Sequence, residues 1–196
     1  MKHIVIFGAG KSSSYLIEYL IQQLSPINWK LTVLDADENA AKAKTGTAPN
    51  AQGKAIQVEN EQERQKWVES ADIVISLLPP SLHYLIALDC IQYKKNLLTA
   101  SYVDAKMEAL RTEIEKSGVL FLCEMGLDPG IDHMSAMQLI HDLKDKGADI
   151  ISFRSHCGGL VAPESDNNPW HYKISWNPRN VVLAGKAGDL FKENNK

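Results

Sequence analysis

Apolar positions gather in six short runs, residues 3–7, 31–34, 55–58, 73–78, 96–99 and 119–122. Between them, apolar residues recur at helical spacing over 13–24, 38–44, 61–69, 82–94 and 105–117. Runs that are apolar throughout, without alternation, suit strands covered on both faces, as in a parallel sheet. Strand–helix alternation over six strands predicts an α/β fold with a doubly wound sheet in the order 3-2-1-4-5-6. The third run has the least distinct pattern, because residues 48–54 beside it are rich in turn formers.

Near Gly126 the character of the chain changes. Residues 131–146 predict a further helix and 149–157 a further strand. Gly158 and Gly159 follow, then a polar loop over 163–169 that carries Glu164, Ser165, Asp166 and two asparagines. Loops of this length and composition are often functional or contact a partner domain. A last helix is expected to begin near Pro178. The pattern predicts a first domain over residues 1–130 and the beginning of a second, α+β, domain over 131–196.

Composition narrows the function classes. The 196 residues carry a formal net charge of −3, and no Lys/Arg cluster could track a phosphate backbone, so no nucleic-acid partner is expected. No apolar run approaches the length of a membrane span, and the first residues lack the long apolar stretch of a signal peptide. Cys90, Cys123 and Cys157 are odd in number and far apart. That argues against a disulfide framework and leads to the expectation of a cytoplasmic protein. His133, His156, His171 and Cys157 show no zinc-site spacing, so no metal is expected.

The first strand runs directly into Gly8-Ala9-Gly10-Lys11-Ser12-Ser13. In this G-x-G-x-x-S pattern Gly8 permits the tight turn and Gly10 the close approach of a pyrophosphate. Ser13 supplies the small residue where helix meets strand. The helix start offers free N–H groups and a positive dipole end to phosphates. Glycines also serve tight turns for structural reasons alone, but here an acid follows at the end of the second strand. The pattern therefore predicts a Rossmann dinucleotide site, whereas the P-loop spacing around Lys11 is absent and excludes an NTPase. Asp35 is the expected partner of the adenosine ribose hydroxyls, with Ala36 beside it, although a turn or helix-cap role is open to Asp35 or Asp37. Leu77, Leu78 and Pro79 lie at the end of the fourth strand, where such sheets place their ligand crevice. They could flank a nicotinamide ribose or be a stiff connection. An acidic end to strand two, with no Lys or Arg before Lys42, predicts NAD rather than NADP.

Later segments point further. They are Ile75-Ser76-Leu77-Leu78-Pro79, Thr99-Ala100-Ser101-Tyr102, Glu124-Met125-Gly126-Leu127-Asp128-Pro129-Gly130-Ile131-Asp132-His133, Ser155 through Glu164, Asp166 through Trp170, and Tyr172 through Trp176. In this order they resemble the saccharopine dehydrogenase family of the glutamate-forming type. The resemblance implies oxidation of the secondary amine of saccharopine and hydrolysis of the imine to L-glutamate and 2-aminoadipate 6-semialdehyde, in lysine metabolism. It also implies that Ser101, Tyr102, Leu127, Asp128, Cys157, Gly158, Ser175 and Trp176 line the pocket. Leu127 and Asp128 would face the cofactor, and Asp128 the substrate as well. Because enzymes of that family are longer, this chain is expected to be an incomplete enzyme. A homodimer through the second domain is an open alternative.

Each pocket residue also has a reading of its own. Ser101 and Tyr102 follow the fifth strand, where hydroxyls can position a polar substrate, or they cap the helix beginning near Asp104. Asp128 could meet an ammonium group, or Asp128 or Asp132 could satisfy early helix N–H groups. Cys157 reads as a small polarisable pocket wall or an ordinary buried cysteine. No catalytic acid or base can be assigned, since hydride transfer belongs to the cofactor. Two rival readings remain: a carboxynorspermidine or homospermidine synthase-like enzyme acting on polyamines, and an inert NAD-binding module.

Overall fold

The computed structural model describes residues 1–156, 161–173 and 182. It divides into two compact units, Met1–Phe153 and Arg154–Lys196. In the first unit, β1 (His3–Phe7) lies between β2 (Lys30–Asp35) and β4 (Ile73–Ser76), parallel to both. β3 (Ala51–Ala55) flanks β2, and β5 (Asn96–Thr99) and β6 (Phe121–Leu122) extend the other edge. The order β3-β2-β1-β4-β5-β6 is the expected doubly wound, all-parallel arrangement.

β1 shows why its run is apolar without alternation. Ile4 and Ile6 pack on one face with Ile17 and Leu24 of α1 (Ser14–Leu24) and Ala41 of α2 (Glu38–Thr45). Val5 and Phe7 pack on the other with Val68 of α3 (Glu61–Ser70) and Ile86 of α4 (Pro80–Gln92). Successive side chains of a strand point to opposite faces, so two covering layers demand apolar residues at every position. Burying each such side chain contributes roughly 1.5–3 kcal/mol.

Three expected elements differ. The third strand is Ala51–Ala55, not 55–58. It is an edge strand, so Gln52, Lys54 and Ala55 are exposed, and its one buried residue, Gly53, lies directly under α2. A Cβ there would stand 2.4 Å from the backbone of Ala41 and Lys42, so the close helix–strand contact requires glycine. Ile56 and Val58 are buried in the core, but from the connection that leads toward α3. The helix expected over 105–117 is two helices, α5 (Ala105–Ala109) and α6 (Arg111–Ser117). Leu110 at the break is buried beside Met107 with φ −82° and ψ −7°. Residues 149–156 form no strand, and Ile151 is almost fully exposed. Among the described residues no strand lies beside them, and β-propensity alone does not make a strand.

α7 (Ile131–Asp145) ends one residue short of the helix expected over 131–146 and buries none of its residues. In the second unit, the polar loop begins with a 3-10 turn, Pro163–Ser165, and His171 Nδ1 bonds Asp166 Oδ2 at 2.6 Å. The helix expected from Pro178 lies outside the described residues. Among the described residues, no helix is long and apolar enough to cross a membrane, and no cluster of His, Cys, Asp and Glu could hold a metal ion.

Candidate active site

The two glycines of the first turn are glycine for different reasons. Gly8 has φ +109°, and a Cβ on it would lie 2.9 Å from the carbonyl oxygen of Leu77, so the fold itself demands glycine there. Gly10 has φ −63° and ψ 178°, which any residue adopts, and a Cβ on it would meet nothing within 4 Å. The space over Gly10 is therefore open, and Gly10, Lys11 and Ser12 are exposed. A 3-10 turn, Lys11–Ser13, leads into α1, and no side chain caps either helical start. Uncapped N–H groups, a positive dipole end and room above them fit a pyrophosphate. Ala9 and Ser13 are buried beneath the loop, and the Ser13 hydroxyl donates to the Gly10 carbonyl at 2.8 Å.

Asp35 ties this loop to the end of β2. Its Oδ2 accepts from Ala9 N at 2.6 Å and its Oδ1 from Asp37 N at 3.0 Å. The half-buried carboxylate is thus held in place, with a lone pair left on each oxygen. The helix-cap role falls to Asp37, whose Oδ1 accepts from Asn39 N and Ala40 N at the start of α2. Ala36 is exposed between the two acids. One cation escaped the linear reading: Lys44 of α2 folds back to donate to Gly10 O and Ser14 Oγ, both at 2.6 Å. Helical spacing of α2 against α1 brings it there although it lies 34 residues along the chain from Gly10.

The ends of β4 and β5 form the other wall. Leu77 N donates to Phe7 O at 2.8 Å, and Leu77 and Leu78 are half-buried. Pro79 stands at the N-cap position of α4 without a capping side-chain bond, and Pro80 occupies its first turn, where a missing N–H costs nothing. Behind them, a buried chain of hydrogen bonds joins Ser76 Oγ, His83 Nδ1, His83 Nε2 and Ser101 Oγ, each link 2.8 Å. Burial, opposed by the negative charge of Asp104, holds the His83 pKa below its usual value. Sequence reasoning did not single out His83. Its signal was available in the topology, which sets the ends of strands four and five side by side.

Tyr102 and Asp128 meet at the same edge. The Tyr102 hydroxyl donates to Asp128 Oδ1 at 2.5 Å. Two glycines place that contact. A Cβ on Gly126 would lie 2.9 Å from Ala100 O, and one on Gly130, at φ +143°, would lie 2.3 Å from Gly126 O. The loop carrying Leu127 and Asp128 is therefore folded tightly against the end of β5. The helix-capping alternatives resolve differently from residue to residue. Asp104 Oδ1 caps α5 through Met107 N, which leaves Ser101 and Tyr102 free of that duty. Asp132 Oδ1 accepts from Gly130 N and bonds His133 Nδ1, which leaves Asp128 to Tyr102. Glu124, also missed from sequence, has φ +60°, and its Oε1 accepts from Val103 N at 3.1 Å.

The hydrogen bond to Asp128 is the main reason the Tyr102 phenol is pushed up to about 12, with burial and the charges of Asp128, Asp132 and Glu124 adding to it. Tyr102 therefore stays a donor well into the alkaline range. Absorbance titration of the parent against Tyr102→Phe is expected to find this phenol ionising near 12. Asp128→Asn should return it toward the ordinary value of about 10. Ionisation near 10 in the parent would mean that the contact does not persist in solution. Cys157, Gly158, Ser175 and Trp176 lie outside the described residues.

Sheet order, open glycine loop and strand-end acid together define a domain of the Rossmann dinucleotide-binding class. Residues 4–122 match the Saccharopine dehydrogenase NADP binding domain, and residues 126–196 match the Saccharopine dehydrogenase C-terminal domain. The chain belongs to the saccharopine dehydrogenase family. It is 37% identical to the saccharopine dehydrogenase [NADP(+), L-glutamate-forming] of Schizosaccharomyces pombe, over 100% of this chain and 43% of that protein. It is 36% identical to the alpha-aminoadipic semialdehyde synthase of Arabidopsis thaliana, over 97% of this chain and 20% of that protein. The apo structure of saccharopine dehydrogenase (L-Glu forming) from Saccharomyces cerevisiae superposes with a TM-score of 0.82 at 33% identity, covering 94% of this chain and 40% of that one. The chain thus spans between about a fifth and two fifths of the length of these relatives.

Proposed function

We propose that this chain supplies the dinucleotide-binding part, and a share of the substrate pocket, of an enzyme that oxidises the secondary amine of saccharopine. The products are L-glutamate and 2-aminoadipate 6-semialdehyde, and the preferred cofactor is NAD. We place the division between nucleotide-binding and substrate domains near residue 130. The observation that carries the reading is the meeting, along one edge of one sheet, of an open glycine loop and the Tyr102–Asp128 pair.

The nicotinamide, when bound, supplies the hydride acceptor. The chain's own residues do the rest of what is assigned here. Gly10, Lys11 and Ser12 offer N–H groups to the pyrophosphate, and Asp35 offers carboxylate lone pairs to the adenosine ribose. Leu77, Leu78 and Pro79 present an apolar wall beside the nicotinamide ribose and keep water from it. Leu127 and Asp128 close the cofactor side. Ser101, Tyr102 and Asp128 present hydroxyls and an acceptor to an amino-acid substrate, whose ammonium group matches Asp128. Cys157, Gly158, Ser175 and Trp176 are assigned to substrate binding from the family motifs they match. Loss of hydride from the carbon and of the amine proton leaves an imine. Water then divides it into an aldehyde and the amino group of glutamate.

The relatives whose names specify NADP(+) bear against the cofactor choice. The acids Asp35 and Asp37, at the end of β2 and just beyond it, support it. The test is an assay of the protein purified from its source, with L-saccharopine and either oxidised dinucleotide. Reduced dinucleotide and L-glutamate are expected in equal amounts, faster with NAD. Oxidation of carboxynorspermidine in preference to saccharopine would contradict the substrate assignment.

A further inference from the structure

The buried chain Ser76–His83–Ser101 runs from the inside of the sheet to the crevice, and hydrogen-bond bookkeeping fixes its direction. Ser76 is fully buried, and its hydroxyl has one partner among the described residues, His83 Nδ1 at 2.8 Å. A buried hydroxyl that did not donate would leave its hydrogen unsatisfied, at a cost of about 1–3 kcal/mol. Ser76 therefore donates, and Nδ1 is the acceptor. In a neutral imidazole the other nitrogen then carries the proton, so Nε2–H donates to Ser101 Oγ at 2.8 Å. Ser101 Oγ accepts from His83, and its own hydrogen is left to point elsewhere. Ser101 is half-buried at the end of β5, beside Tyr102, where the sheet opens to its ligand crevice.

We propose that His83 is a positioning residue that, held in one tautomer by Ser76, fixes the Ser101 hydroxyl as a hydrogen-bond donor to an acceptor oxygen of the bound ligand. Two sources carry such an oxygen, the carboxylate of the amino-acid substrate and the carboxamide of the nicotinamide. The proposal rests on the functional reading above for the identity of those ligands. The tautomer does not depend on that reading.

The experiment has two parts. Nitrogen-15 spectra of the His83 ring in the parent chain at neutral pH should show a protonated Nε2 and an unprotonated Nδ1. Ser76→Ala, which removes the donor at Nδ1, should blur that pattern into a mixture of tautomers. Calorimetry then compares the parent with Ser101→Ala for NADH alone and for L-glutamate added to the NADH-saturated protein. Loss of a neutral hydrogen bond, to the carboxamide, weakens binding by roughly two- to tenfold, and loss of a charge-assisted one, to the carboxylate, by roughly tenfold or more. If NADH weakens, the acceptor is the carboxamide. If only L-glutamate weakens, it is the carboxylate. A protonated Nδ1 in the parent overturns the proposal whatever the ligands do. A parent that binds NADH, with Ser101→Ala binding both probes equally well, overturns it while leaving the dinucleotide site intact. A parent that binds neither probe overturns both together.

Discussion

Gly10→Val is expected to abolish pyridine-dinucleotide binding, a loss of at least about a hundredfold, in a protein that melts where the parent does. Valine fits the extended backbone at φ −63° and ψ 178°, and its Cβ enters open space. Nothing in the fold resists it. The branched side chain would stand over the N–H groups of the loop and hold a phosphate away. Charge-assisted hydrogen bonds contribute about 1.5–3 kcal/mol each, so losing two removes at least about 3 kcal/mol, or two decades of affinity. Gly8→Ala should do the opposite. Its Cβ would press on the Leu77 carbonyl at 2.9 Å with φ at +109°, so stability should fall by about 1–3 kcal/mol. Circular dichroism melts and calorimetry with NADH separate the two effects. Unchanged affinity in Gly10→Val would show that no pyrophosphate sits there.

NADH should bind at least about tenfold more tightly than NADPH. Asp35 cannot swing away from a ligand, because Ala9 N and Asp37 N hold both of its oxygens. A 2′-phosphate at about 4 Å would meet a repulsion of roughly 4 kcal/mol for two unit charges at an effective dielectric of 20. A third of that, after screening, is about tenfold, and the lost ribose hydrogen bond adds to it. Lys44, whose ammonium donates to the neutral Gly10 O and Ser14 Oγ and so keeps its full charge, works against this preference. Ala36→Arg places a guanidinium beside the site without disturbing the loop, and it should narrow the gap. Asp35→Ser combined with Ala36→Arg should narrow it further or reverse it, but it also removes the acceptor of Ala9 N and should lower stability. Paired fluorescence titrations of NADH and NADPH measure all three proteins. Equal affinities in the parent would mean that the adenosine ribose lies away from Asp35.

The residues that were legible in sequence are those whose environment is symmetrical or local. β1 reads as a strand because both its faces are covered, and Gly8 and Gly10 read as a turn because strand and helix flank them directly. β3 was misplaced because an edge strand shows one face to solvent and a glycine to α2, which leaves it no apolar pattern. The buried Ile56 and Val58 beyond it supplied that pattern instead. The single helix expected over 105–117 hid a break, because Leu110 is apolar on either account and no glycine or proline marks the turn. Asp128 was found through its motif, but its bond to Tyr102 crosses 26 residues and depends on how Gly126 packs against Ala100. His83 was passed over for the same reason. Its two serine partners lie 7 and 18 residues away, and only the strand order makes them neighbours.

A pyridine dinucleotide is expected to lie across the carboxyl edge of this sheet, from the glycine loop to the end of β4. Amide chemical-shift mapping of the nitrogen-15-labelled chain during titration with NADH tests it most directly. Shifts should concentrate at Gly8–Ser13, Asp35–Ala36 and Leu77–Leu78, and extend to Ser101 and Leu127–Asp128. Shifts confined to other surfaces, or none at saturating NADH, would contradict it.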